Sequence, residues 1–327
     1  VLGAVRAGHD VPAYEGLLRA TRGTLNHLWR ASQPDLIDRF WRLPGVHPAL
    51  REIVYRGVLR PSEIEQARAV LASCLRHLVT APVLADLRGC APSEVWLPGP
   101  GPVQFRVTTD ELAGAPAADA AGGALTDWGR PVLVWAAPDA CYVHTVRPAD
   151  AEHVRLAVGS RHWCVVDWKT GARAREADER LQLSVYALWL EAAGYPTTDG
   201  VYLGRVVGLR DATERWYVLG PAERAAARAA IAADTAHLLR LLADPQRAVP
   251  RARDEWQLAA SRHTCRTCNY LALCPDALQP LRERAAERAP DRGPAHEPDV
   301  GPEPVTAAER RARRSDGAAA PNSAPPP

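Results

Sequence analysis

The hydrophobic pattern changes period twice along the chain. Residues 1 to about 90 carry apolar positions three and four apart, the spacing of one helix face. Within them, Ser62-Glu63-Ile64-Glu65 has the S-x-x-E form of a capping box. Ile64, Ala67, Val70, Leu71, Leu75 and Leu78 follow at helical intervals. From 94 to 168 the texture is short β-type runs broken by Gly and Pro, at 94–97, 103–107, 132–135, 141–143 and 163–168, with an Ala/Gly-rich loop over 108–131. A third texture follows. Residues 178–193 predict an amphipathic helix with Leu181, Val185, Leu188 and Trp189 on one stripe, 201–207 and 214–219 a hairpin, and 221–243 an Ala-rich helix. After 280 the chain is Pro-, Glu- and Arg-rich and is expected to be disordered. There is no internal repeat. The order predicts an α/β fold with mixed strand pairing. Its expected parts are an N-terminal helical region over 1–90 packed on a core at 91–245, a metal-binding Cys segment over 246–279, and a tail over 280–327.

Composition narrows the function classes. A chain of 327 residues with 47% hydrophobic content can bury a large core, and its net charge of +2 gives no overall basic field for nucleic acid. Any such surface must be local. No apolar run approaches the ~20 residues that span a bilayer, and the opening Val1-Leu2-Gly3-Ala4-Val5-Arg6 turns polar too soon for a signal peptide, so no membrane partner is expected. Seven Cys is an odd number with three clustered late, which reads as a metal site in a reducing cytoplasm rather than a disulfide framework.

The candidate chemistry centres on Lys169, the only lysine in a chain rich in arginine. Arg is a broad planar fork that stays charged, whereas Lys is a compact point charge. Asp167 and Lys169 are two apart, so on a strand they project from one face. Pro138-Asp139 puts a second carboxylate just after the run that begins at Val132. If that run neighbours the 163–168 strand, Asp139 and Asp167 converge. Paired carboxylates suit Mg²⁺ or Mn²⁺, which can orient an attacking water and neutralise charge on a phosphodiester. Lys169 beside them can hold or help deprotonate that water. Taken alone, Asp167-x-Lys169 reads more readily as a surface ion pair at a strand end. On the next helix Gln182 and Tyr186 share a face at i and i+4, and far upstream Arg22-Gly23-Thr24-Leu25-Asn26-His27 places a His one turn after a Gly.

Together, Arg22-Gly-x-x-x-His27, Glu94, Pro138-Asp139, Asp167-Trp-Lys169-Thr-Gly171 and Gln182-x-x-x-Tyr186 resemble the RecB-type branch of the PD-(D/E)XK nuclease superfamily, from about residue 20 to 275. The resemblance implies a restriction-endonuclease-like core, a mixed central sheet flanked by helices. It implies Asp139 and Asp167 as metal ligands, His27 as an additional ligand, and Lys169 as the catalytic lysine. Gln182 and Tyr186 would support the site and touch DNA. Arg22, Arg173, Arg175, Arg180 and Arg262 are candidate phosphate contacts, with solvated surface arginine the default for each. Most of the ten Trp are expected in the core, and Trp168 should point away from the site.

Cys265-x2-Cys268-x5-Cys274 is a second constellation, since three thiolates within ten residues in a polar context share a metal, zinc or iron–sulfur. Relatives of the iron–sulfur branch, of the AddB-subunit and CRISPR-adaptation types, close a [4Fe–4S] cluster with such a triplet and a fourth Cys ahead of the G-x-x-x-H motif. No Cys precedes His27 here, the chain opens on Val1, and it has no Met, so a short upstream piece carrying that ligand is expected to be missing. His263 completing a Zn²⁺ site, or Cys74 or Cys90 as the fourth ligand, are the rivals. Cys141 and Cys164 read as core residues.

The functional expectation is a Mg²⁺- or Mn²⁺-dependent deoxyribonuclease, an exonuclease on single strands or ends, acting in repair, recombination or CRISPR adaptation. There is no Walker A motif, so duplex substrates would need a helicase or CRISPR-adaptation partner. The rivals are a non-catalytic nucleic-acid-binding subunit with a structural metal, and a zinc-bound interaction protein.

Overall fold

The computed structural model describes residues 4, 9–31, 61–99, 101–113, 128–171 and 174–256, with backbone only at 28–31 and 253. All of them fall in one of the chain's two compact units, Val1–Ala259. His263, Cys265, Cys268, Cys274, Arg173, Arg262 and the tail after 280 lie outside the described residues.

Three helices come first: α1 (Tyr14–Ala31), α2 (Pro61–Thr80) and α3 (Pro82–Gly89). The helix α2 opens at Pro61, one residue before the expected cap Ser62, because proline's fixed φ and missing N–H suit a first turn. Pro82 does the same for α3 and so divides it from α2. The combined stretch Pro61–Gly89 carries a window of mean hydropathy 1.4, long and apolar enough to cross a membrane, contrary to the reading of the sequence. Its apolar side chains Cys74, Val83, Leu84 and Leu87 are buried in a core cluster with strand residues.

The central sheet has five strands: β1 (Val95–Trp96), β4 (Ala140–Thr145), β5 (Arg161–Lys169), β6 (Tyr202–Gly208) and β7 (Thr213–Leu219), in the order β1-β4-β5-β6-β7. Only β5 and β6 run parallel, joined by the crossover helix α6 (Glu176–Ala192); the other neighbours are antiparallel. Two strands stand apart as a hairpin, β2 (Val103–Val107) and β3 (Val132–Ala136). Between them runs α4 (Thr109–Ala113). After β4 comes α5 (Pro148–Val154), and after β7 come α7 (Pro221–Arg240) and the short pair β8 (Leu242–Asp244) and β9 (Val249–Pro250).

The sheet is buried on both faces, which is why its strands read as near-continuous apolar runs. Trp163 and Val165 of β5 join Leu183, Tyr186, Ala187 and Leu190 of α6 in one cluster, with Phe105 and Val107 of the hairpin and Ala227 and Ala232 of α7. Cys164 and Val166 face the other way, with Tyr142, Leu203 and the helix residues of α3. Helix α6 lies tight on the sheet at Gly204, where an added Cβ would sit 2.7 Å from Leu183 Cδ1. It ends at Gly194, whose φ of +78° lets Tyr195 N return to Leu190 O at 3.0 Å. On the opposite face Arg205, 1% exposed, donates to Asp86, Tyr142 and Glu214 and lies over the Trp216 ring. This mixed α/β sheet flanked by helices is the architecture the sequence predicts.

Candidate active site

The residues of interest sit where β5 ends. Its alternation sends Trp163 and Val165 toward α6, and two and four residues on, Asp167 and Lys169 leave by the same face. Trp168 takes the other face and packs on the opposite cluster, as expected. Asp139 arrives by a route the sequence reading did not foresee. The run ending at Ala136 is β3, which among the described residues pairs with β2 alone. Asp139 instead stands one residue before β4, whose antiparallel register sets Ala140 against Val166. One further step sets Asp139 opposite Asp167, and Asp139 N donates to Val166 O at 3.3 Å. Pro138, buried, fixes the turn between the two runs.

Asp139 Oδ2 accepts from Trp168 N at 2.7 Å. Asp167 is 5% exposed, and its Oδ1 accepts from Gln182 Nε2 at 3.3 Å. Lys169 Nζ lies 2.7 Å from Asp167 Oδ2, yet the contact has no hydrogen-bond geometry, and Oδ2 is a buried oxygen with no hydrogen-bond donor. Nζ donates instead to Gln182 Oε1 at 2.8 Å, and Gln182 Nε2 donates to the Tyr186 hydroxyl at 2.7 Å. Lysine has only donors and a carboxylate only acceptors, so Gln182 fits in one orientation alone: Oε1 toward Nζ, Nε2 toward Asp167.

Burial raises both Asp139 and Asp167 above the usual carboxylate range. For Asp139 the Asp167 charge adds to burial, while the Trp168 N–H opposes it; for Asp167 the Lys169 ammonium opposes burial. Burial also pushes the Tyr186 hydroxyl up to about 12. Two carboxylates, both raised by burial and set opposite each other across the ladder, could together hold a divalent cation. The donors are hard oxygens, so the fit is to Mg²⁺ or Mn²⁺ rather than to a soft metal.

Glu179 is a neighbour the sequence reading missed. It is 1% exposed and stands three residues before Gln182 and seven before Tyr186, so one α6 face carries all three. That spacing was the available signal. Burial works to raise Glu179, but Arg215 and the Tyr217 hydroxyl, which donates at 2.6 Å, outweigh it and hold the acid below the usual range. Its charge in turn helps raise Asp167.

Other expected residues stand elsewhere. His27 is exposed on α1, which packs on α2, and α2 contributes to the core on the sheet face opposite Asp167. Among the described residues no three His, Cys, Asp or Glu side chains gather as a metal site, so His27 does not join the two carboxylates as a third ligand. Arg22 lines a cleft between α1 and α2 with Asn26, Glu65 and Arg68. Glu94 pairs with Arg161 at the start of β5, six residues or about 20 Å from Asp167. Arg175 and Arg180 pair with Asp178 and Glu176. Cys141 and Cys164 are buried core residues; Cys74 is buried, and the Cys90 thiol donates to Asp86 O and Val143 O.

No curated protein matches the chain. Residues 155–275 match the family described as the PD-(D/E)XK nuclease superfamily, whose members are usually metal-dependent nucleases. The matched stretch contains Asp167, Lys169, Gln182 and Tyr186, begins after His27 and Asp139, and extends through Cys265, Cys268 and Cys274. Over residues 155–275, then, this chain is similar to the PD-(D/E)XK nuclease superfamily.

Proposed function

We propose that the chain is a metal-dependent deoxyribonuclease whose reaction centre is Asp139, Asp167 and Lys169. The observation that carries this reading is that Asp139, half-buried, and Asp167, buried, stand opposite each other at the end of the strand pair, with the Lys169 ammonium 2.7 Å from Asp167 Oδ2. Asp139 and Asp167 would hold Mg²⁺ or Mn²⁺. Such an ion, when bound, lowers the pKa of its water and offsets charge on the scissile phosphate. Lys169 brings a compact cation to the non-bridging phosphate oxygens and donates to the attacking water. Gln182 aims that ammonium, and Tyr186 fixes the Gln182 amide from behind. In this reading Gln182 and Tyr186 act on DNA through Lys169.

The substrate we favour is DNA with single strands or free ends, in repair, recombination or CRISPR adaptation. With no Walker A motif, duplex substrates would be opened by a separate motor. Cys265, Cys268 and Cys274 supply soft thiolates suited to a structural [4Fe–4S] cluster or zinc, whose binding would contribute folding free energy.

The test is incubation of the purified protein with end-labelled single-stranded and duplex DNA, in Mg²⁺ or Mn²⁺ and in EDTA. Ion-dependent breakdown from the labelled end is the expected result. Cleavage that persists in EDTA would contradict the reading. A folded, metal-loaded protein that binds DNA without cutting it would point to the non-catalytic subunit instead.

A further inference from the structure

The hairpin beside the site has an anomalous outer face. The inner positions Phe105 and Val107 of β2 and Val132, Val134 and Ala136 of β3 pack into the core that contains α6. The outer positions of β3 meet water and should be polar. They are Leu133 and Trp135, 48% and 60% exposed. Across the ladder they stand opposite Arg106 and Gln104, both exposed. Arg106 has no ion pair among the described residues.

A single exposed apolar side chain is ordinary. This one is distinguished by its place. Only Ala136, Ala137 and Pro138 separate Trp135 from Asp139, so their Cα atoms lie within ~14 Å at full extension. The hairpin is seated on α6, the helix that carries Gln182 and Tyr186.

Resting on the nuclease reading above, we propose that the outer face of this hairpin is a stacking platform for an unpaired base of single-stranded DNA. Trp135 takes the base face, and Arg106 takes the adjoining phosphate. An indole face accepts any base, so the platform is indifferent to sequence, and a base held within a duplex stack does not reach it. Arg106 adds a phosphate contact that is lost in high salt. The platform therefore selects single strands or frayed ends and feeds them to a centre a few nucleotides away.

The test uses the full chain in EDTA, where no cleavage occurs, with fluorescent oligo-dT and a blunt duplex as probes. Stacking on an aromatic contributes about 1–3 kcal/mol per base, so Trp135→Ala should weaken oligo-dT binding about ten-fold. Trp135→Phe should restore most of that loss, and duplex affinity should not change. With Mn²⁺ added, KM for the single strand should rise with Kd while kcat holds. The position is exposed, so the variants fold, which circular dichroism will show. Wild-type affinity in Trp135→Ala, or equal losses for oligo-dT and duplex, would overturn the platform. If the wild-type protein cleaves DNA and Trp135→Ala is unaltered, the platform fails and the nuclease reading stands. A wild-type protein that neither binds nor cleaves DNA overturns both.

Discussion

Lys169→Ala is expected to lower metal-dependent DNA cleavage by about 10³-fold, because a single preorganised donor at a developing charge contributes roughly 10²–10³ in rate and Lys169 also positions the water. The side chain is fixed by Asp167 and Gln182 while remaining 27% exposed, so it can be held in place and still reach a substrate. Lys169→Arg should not rescue activity, since a broad planar guanidinium does not fit a compact ammonium site. Asp167→Ala is expected to be as severe. Because the residues act as a unit, the double variant should be no worse than either single one. Single-turnover rates with Mn²⁺ at saturating DNA measure this, with circular dichroism as the control on folding. Full activity in Lys169→Ala would remove the residue from the mechanism.

Arg205→Met is expected to cost about 3 kcal/mol, near the lower end of the roughly 3–5 kcal/mol that follows removal of one partner from a buried ion pair. The guanidinium is 1% exposed and bridges Asp86 Oδ2 at 2.6 Å and Glu214 Oε2 at 2.7 Å, with Tyr142 OH at 2.9 Å. It ties α3, β4, β6 and β7 together through one side chain. Methionine fills the space of the stem but leaves Glu214 without a cation and Asp86 with Arg147 alone. Those acids are 13% and 24% exposed, so they recover part of their hydration, which places the loss near the lower bound. The melting temperature should fall by roughly 10 °C. Arg205 faces away from Asp167, so the folded fraction should cleave DNA at the wild-type rate. An unchanged melting temperature would show that the network is not holding these elements together.

Much of the architecture was legible because burial on both sides of a sheet leaves continuous apolar runs, and 163–168 and 201–207 read as strands for that reason. Asp167 and Lys169 share a face through the strand period alone, and Gln182 and Tyr186 through the helix period. The route of Asp139 was not legible, because strand pairing is set by long-range contacts. Val132–Ala136 reads as a neighbour of β5 and is in fact half of a separate hairpin. Trp135 is an exception to the expectation that most Trp are core, because the alternation of β3 turns it outward to 60% exposure. His27 was placed by resemblance alone, and packing of α1 on α2 keeps it from the carboxylates. Glu179, despite its spacing, was not legible, because an acid in the first turn of a helix reads as a solvated partner of the helix dipole.

The central claim is that Asp139 and Asp167 form a divalent-cation site, and it is tested most directly by melting the wild-type and Asp139→Asn proteins with and without Mn²⁺. Both acids are raised in the folded protein, so the fold holds more protons than the unfolded chain between the unfolded and folded pKa. Each acid therefore lowers stability as pH rises through that window. At neutral pH without metal, Asp139→Asn should melt at or above the wild-type temperature, since an amide oxygen still accepts from Trp168 N and the buried charge is gone. Mn²⁺ at ten times its Kd should stabilise the wild type by about 1.4 kcal/mol, or roughly 3–6 °C, and leave Asp139→Asn unmoved. Equal Mn²⁺ shifts in the two proteins, or none in the wild type, would contradict the account.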